Sequence, residues 1–306
     1  PQSDSIQIND KGRIIRDNKW GTQEEDALRR DLTINSIYYD PFSEEIIDYT
    51  GGIKDLENKK IKLIGDAEKR IVEDPVRILR VIRFSAKLNF EIDLEIKNAI
   101  TKHKNQLLEM SSARIYEEII KMFLTGHAQK TYQLLQEYDL FDLLFPHIEN
   151  SKEDFNEFYE NAFKNTDQRI EENKKLNTGF LFATLLWPKI YLKSGISERI
   201  KYKSFYRNIA SVLQKQQNIT AIPRRYSSFI RDIWMNQIRF KKMSKKSINF
   251  ANSMRFRASY DFLLLRNSLE KNLETVINWW TDFKAANYDK KVKLLNEYRK
   301  GLNEKK

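Results

Sequence analysis

The run Glu73-Asp74-Pro75-Val76-Arg77-Ile78-Leu79-Arg80-Val81-Ile82-Arg83-Phe84 marks where this chain changes character. Pro75 suits a first helical turn and Asp74 its N-terminal end, while Ile78, Leu79, Ile82 and Ala86 give one apolar face at helical spacing. Downstream the same periodicity predicts helices over 94–103, 113–124, 129–138, 155–163, 180–193, 198–214, 225–238, 245–254, 258–267 and 273–284. Upstream the pattern is different. Ile34, Ile37, Tyr38 and Tyr39 precede the turn Asp40-Pro41-Phe42-Ser43, and Ile46-Ile47-Asp48-Tyr49 follows, which reads as a short β-hairpin. Residues 61–64 suggest one more strand. Residues 1–24 are polar and read as a mobile loop, 165–176 as a joint, and 299–306 as a fraying end. The fold class is therefore mainly α with a small β portion.

The chain has 306 residues, enough for two to four subdomains, and a formal charge of +11, so a polyanionic partner is expected. The excess is local. Between Arg224 and Arg257 ten Lys/Arg stand against one acid, Asp232. The absence of cysteine excludes disulfides, thiolate metal sites and cysteine nucleophiles, and fits a reducing compartment. Three histidines without paired spacing argue against zinc or a histidine-based triad. No stretch of about 18 apolar residues occurs, so no membrane span is expected.

Two constellations point to a nucleotide. In Arg29-Arg30-Asp31, planar guanidinium forks match phosphate oxygens, and the carboxylate can accept from a ribose hydroxyl. Asn35 can present its amide to the same ligand. The bland reading is a surface salt-bridge cluster with Glu24, Glu25 and Asp26. Asp74 and Arg77 add an acceptor and a donor on one helical face, with Arg80 and Arg83 continuing at three-residue steps. Such a pair accepts the amine and ring nitrogen of adenine or cytosine and rejects the inverted edges of guanine and uracil. An N-cap with a local ion pair is the alternative. The basic tract supplies a third constellation: Arg224, Arg225, Arg239, Lys241, Lys242, Lys245, Lys246, Arg255 and Arg257 suit a nucleic-acid backbone. Its aromatic neighbours Phe229 and Trp234, and Trp279-Trp280 beyond it, read as core.

Four blocks in order resemble the class II nucleotidyltransferases, the superfamily of bacterial poly(A) polymerases and tRNA CCA-adding enzymes. They are Arg29 to Asn35, Asp48 to Leu56, Ile64-Gly65-Asp66 and Glu73 to Phe84. Stretches 131–146 (TYQLLQEYDLFDLLFP), 180–187 (FLFATLLW) and 255–266 (RFRASYDFLLLR) are similar to the body and tail of the bacterial poly(A) polymerase I branch. The resemblance implies a remnant of an α/β nucleotidyltransferase head at 1–68, a base-recognising helical neck at 69–126, a helical body at 127–222 and a basic RNA-binding tail at 223–306. It makes Asp31 the catalytic-site carboxylate and Arg29 and Arg30 its triphosphate and ribose partners. Asp74 and Arg77 become the base readers, and 6–21 the end of a flexible catalytic loop. The family's Gly-Ser turn and Asp-x-Asp pair, which hold two Mg²⁺ ions, do not occur here. With Pro1 in place of Met, the chain looks like the interior of a longer polypeptide, with the main metal ligands upstream and Asp31 as the one candidate metal contact. The implied activity is template-independent addition of AMP from ATP to RNA 3′ ends, in the cytoplasm, with RNA-decay or RNA-chaperone proteins as partners. A CCA-adding enzyme and a non-catalytic helical RNA-binding protein remain the alternatives.

Overall fold

Two short antiparallel strands, β1 (Gln7–Ile8) and β2 (Ile14–Arg16), fall within the stretch 1–24 read as a loop, and a helix, α1 (Gln23–Arg29), starts at its end. The helix begins at a capping box. The Thr22 hydroxyl accepts from the Glu25 N–H at 3.2 Å, and the Glu25 carboxylate accepts from the Thr22 N–H at 2.8 Å. The structure, a computed structural model, describes residues 7–8, 14–16, 21–146, 155–194 and 201–303. The rest of the segment 6–21, expected to end a catalytic loop, lies outside the described residues. The chain forms two units, residues 1–144 and 145–306. Their boundary falls inside the segment read as the body.

In the first unit the expected hairpin forms from β3 (Ile37–Asp40) and β4 (Glu45–Asp48), with Ile37 opposite Asp48 and Asp40 opposite Glu45. A short helix, α2 (Gly52–Glu57), leads to β5 (Lys60–Ile61). Gly65, at φ +81°, then turns the chain, and Asp66 caps α3 (Ala67–Glu73) by accepting from the Lys69 N–H at 2.8 Å. The long helix α4 (Val76–Leu88) buries Val76, Ile78, Leu79, Val81, Ile82 and Ala86, the face expected from the sequence. Asn89, left-handed at φ 53°, ends it and lets β6 (Glu91–Ile92) pair in parallel with β5. Three further helices follow: α5 (Leu94–His103), α6 (Ser112–Phe123) and α7 (Ala128–Glu137), with the short α8 (Phe141–Leu144) closing the unit. Both α6 and α7 pack against α4.

The second unit, as described, is helical. It contains α9 (Asn156–Glu171), α10 (Thr178–Ser194), α11 (Tyr202–Gln217), α12 (Arg224–Phe240), α13 (Lys246–Ala251), α14 (Phe256–Arg266), α15 (Glu274–Ala285) and α16 (Tyr288–Asn303). Two expectations need correction. The joint at 165–176 is helical as far as Glu171, continuing α9 through the helix formers Gln168, Arg169 and Glu171, and the break comes at Asn173, φ 53°. The end expected to fray from 299 continues α16 to Asn303. The aromatics of the basic tract point inward, as read. Trp234 and Trp280 are fully buried, and their indole N–H groups donate to the carbonyls of Ala183 (3.2 Å) and Phe240 (2.9 Å).

Candidate functional site

The segment from Arg29 to Asn35 is held on both sides. The Asp31 carbonyl accepts from the Ile64 N–H at 3.0 Å, Leu32 bridges Leu63, and the Thr33 N–H donates to the Lys62 carbonyl at 3.1 Å. The Thr33 hydroxyl donates to the buried Asp55 carboxylate at 2.8 Å. Below it, Asp48 accepts from the N–H groups of Thr50, Gly51, Gly52 and Ile53 at 2.9–3.0 Å. Burial pushes the Asp48 pKa up, but these four bonds, Ile53's first, outweigh it and hold the group below its ordinary value. Gly52 lies so close under Thr33 that an added Cβ would overlap the Thr33 carbonyl oxygen. Gly52→Ala is therefore expected to destabilise the first unit by more than about 1 kcal/mol. An unchanged melting temperature would contradict the tight contact.

The second wall is the corner between α3 and α4. Asp74 is extended (φ −145°, ψ 90°) and ends α3, while Pro75 begins α4. Asp74 thus precedes the helix that carries Arg77, a correction to the reading of both on one helical face. Its Oδ1 accepts from the Val76 N–H at 3.3 Å, and its Oδ2 from Arg114 of α6 at 2.7 Å. Arg77 donates through Nη1 to Glu73 (3.0 Å) and to the Arg70 carbonyl (2.6 Å). Arg70 in turn donates to the carbonyls of Arg29 (3.1 Å) and Arg30, tying the two walls together. Burial first, then the Arg77 guanidinium, hold Arg70 below the usual arginine value.

Between these walls lies a cavity of about 480 Å³ lined by Arg29, Arg30, Asp31, Asn35, Asp74, Arg77 and Arg80. Four guanidiniums face two carboxylates and an amide, so the site favours an anion. Arg30 also pairs with Asp26 (3.1 Å) and donates to the Asn35 carbonyl (2.9 Å), so part of the surface salt-bridge reading holds alongside the cavity. Asp31 is 8 % exposed, and its Oδ2 lies 2.6 Å from Arg80 Nε. Both atoms are shut off from solvent, so this ion pair forms part of the cavity wall. Arg83 is a correction. A three-residue step turns about 60° backwards on a helix, so Arg83 stands well round from Arg77, lies outside the lining and pairs with the buried Glu118 at 3.3 Å.

Among the described residues no group of three or more His, Asp or Glu side chains converges to hold a cation, and one oxygen of Asp31, Oδ2, is held against the Arg80 guanidinium. Sequence reasoning missed Arg70, Glu73 and Arg114. The spacing Arg70, Glu73, Arg77 carried a local signal, hidden by Pro75; Arg114 carried none, since its partner is 40 residues away.

In the second unit, Arg224 and Arg225 open α12, and Arg239 closes it with its guanidinium 4.0 Å from the Phe250 ring centroid. Lys241, Lys242 and Lys245 lie between α12 and α13, which Lys246 begins. Arg255 sits 4.8 Å from the Phe229 ring centroid and 3.6 Å from Asp232, and Arg257 is in the first turn of α14. All but Lys241 and Arg255, which are half-buried, are solvent-exposed.

Models described as the poly A polymerase head domain, the probable RNA and SrmB-binding site of polymerase A, and the polymerase A arginine-rich C-terminus match residues 3–62, 89–152 and 198–306. Poly(A) polymerase I of Escherichia coli is 38 % identical over 301 residues, 94 % of this chain and 64 % of that protein. Poly(A) polymerase I of Haemophilus influenzae is 34 % identical over 304 residues, 95 % of this chain and 67 % of that protein. The chain belongs to the bacterial poly(A) polymerase I family. It spans about two thirds of the length of these curated relatives. Its fold is similar to that of a Thermotoga maritima CCA-adding enzyme complexed with tRNA: TM-score 0.57, 18 % identity, covering 86 % of this chain and 61 % of that one. Among the described residues no helix is long and apolar enough to cross a membrane.

Proposed function

We propose that this chain selects ATP and holds RNA in a template-independent nucleotidyltransferase that adds AMP to RNA 3′ ends. One observation carries the reading: two segments some forty residues apart converge on a single cationic cavity, lined by seven of the eight residues expected to bind the nucleotide. In this proposal Arg29, Arg30 and Arg80 neutralise triphosphate oxygens, and the Asp31 carboxylate accepts from a ribose hydroxyl. Asp74 accepts from the adenine amine while Arg77 donates to its ring nitrogen. The RNA 3′-oxygen forms a bond to the α-phosphorus as the bond to pyrophosphate breaks, and the hydroxyl proton leaves. The guanidiniums offset charge on the departing pyrophosphate. The basic residues of the second unit hold the RNA backbone, and residues 69–126, 127–222 and 223–306 act as neck, body and tail. A cytoplasmic setting, with RNA-decay or RNA-chaperone partners, belongs to the same reading.

Titration calorimetry with the chain tests it. ATP is expected to bind, at least as tightly without Mg²⁺ as with it, because the cavity presents cations to the triphosphate and Mg²⁺ removes part of its charge. GTP is expected to bind more weakly. Equal binding of ATP and GTP, or an absolute requirement for Mg²⁺, would remove the base-reading pair or the metal-free cavity from the proposal. Incubating the whole protein with ATP or CTP and a generic RNA separates the branches: persistent CMP incorporation, or activity confined to tRNA ends, would indicate a CCA-adding enzyme.

A further inference from the structure

Two exposed rings facing the basic tract lie on α11, outside the residues assigned to RNA above. Phe205, Ile209, Val212 and Leu213 form the buried stripe of this helix. Tyr202 and Tyr206, four residues apart, share another face and are 65 % and 43 % exposed. Lys201, Lys203 and Arg207 are exposed around them. From Lys201 to Lys241 nine Lys/Arg stand against one acid, Asp232, so nothing on α11 itself repels a phosphate. Across from α11, the Arg231 guanidinium lies 5.5 Å from the Tyr206 ring centroid. It makes no hydrogen bond to another described residue, and its Nε is buried without a partner. A half-buried guanidinium against an exposed ring, with no protein acceptor on its terminal nitrogens, leaves those nitrogens for a ligand.

We propose that Tyr202 and Tyr206, with Arg231 set against them, form a stacking surface for single-stranded RNA. The proposal rests on the RNA-binding reading above and adds base contact to a tract assigned only to the backbone. Each tyrosine offers a π-face to any base, and Arg231 and the neighbouring cations neutralise the adjoining phosphates. The cationic surroundings favour a polyanion over an apolar protein segment.

The experiment uses fluorescein-labelled oligo(A) and fluorescence anisotropy on the whole chain, at about 50 and 200 mM salt. Two double variants are compared, Tyr202→Ala/Tyr206→Ala and Tyr202→Phe/Tyr206→Phe, with melting curves as the folding control. The alanine pair is expected to lose roughly 10- to 100-fold in affinity with the salt slope unchanged, and the phenylalanine pair to stay within about twofold of wild type. Wild-type affinity in the alanine pair would overturn the proposal and give the surface to a protein partner. A phenylalanine pair as weak as the alanine pair would also overturn it, since stacking needs the ring and not the hydroxyl. Failure of the unaltered chain to bind oligo(A) would sink the RNA reading itself, a result distinct from either.

Discussion

An Arg77→Ala chain is expected to bind ATP about 10- to 100-fold more weakly and to lose most of its preference over GTP, because a hydrogen bond to a charged group contributes roughly 1.5–3 kcal/mol. The reason lies in the polarity of the base edge. In the proposed reading Asp74 and Arg77 complement adenine, which pairs a donor amine with an acceptor nitrogen; guanine inverts both. Arg77 makes its protein bonds through Nη1, to Glu73 and the Arg70 carbonyl, so Nη2 and Nε remain for the base. Asp74 keeps acceptor capacity beside its bond to Arg114. Arg114→Ala is the control: it releases Asp74 without removing a base contact, and a smaller loss is expected. Competition between ATP and GTP measures the effect. If Arg77→Ala retained full discrimination, the reader would be Arg80, which lines the same cavity.

Glu270→Ala is expected to destabilise the second unit by about 3–5 kcal/mol, because it leaves a buried charge without its partner. Arg266 is completely buried. Its Nε and Nη2 donate to Glu270 at 2.6–2.8 Å, its Nη1 donates to Gln237 Oε1 at 3.0 Å, and the guanidinium lies 4.8 Å from the Trp187 ring centroid. Burial pulls its pKa down and Glu270 opposes this. Chemical denaturation followed by tryptophan fluorescence reads the loss. The double variant Arg266→Met/Glu270→Leu should recover most of the stability, since apolar side chains of similar size remove both charges. A double variant no more stable than Glu270→Ala would show that packing around Trp187, not the charge, sets the cost.

Much of this was legible before the structure. The apolar residues of α4 recur at helical spacing, so Ile78, Leu79, Ile82 and Ala86 could be placed in the core by period alone. The hairpin of β3 and β4 followed from β-branched and aromatic residues around Pro41. The capping box Thr22-Gln23-Glu24-Glu25 is a local signal too, though its polar surroundings give no apolar period to go with it. Other features had no local signal. The position of Arg83 required the rotation of α4 relative to α6, and the partner of Asp74 came from a residue remote in sequence.

Residue types and spacing by themselves determined the chemistry on offer: guanidinium forks beside a carboxylate, an acceptor and donor fit for adenine or cytosine, and a cationic tract with its aromatics turned inward. These follow from local periodicity and from the properties of single side chains. Only the tertiary structure decided which groups share a cavity and which are already engaged. It set Arg80 against Asp31, removed Arg83 to Glu118 and left Tyr202 and Tyr206 in solvent. The physical reason is that hydrogen bonds and ion pairs are satisfied by whichever partner the packing brings within about 3 Å, and that distance is independent of separation along the chain.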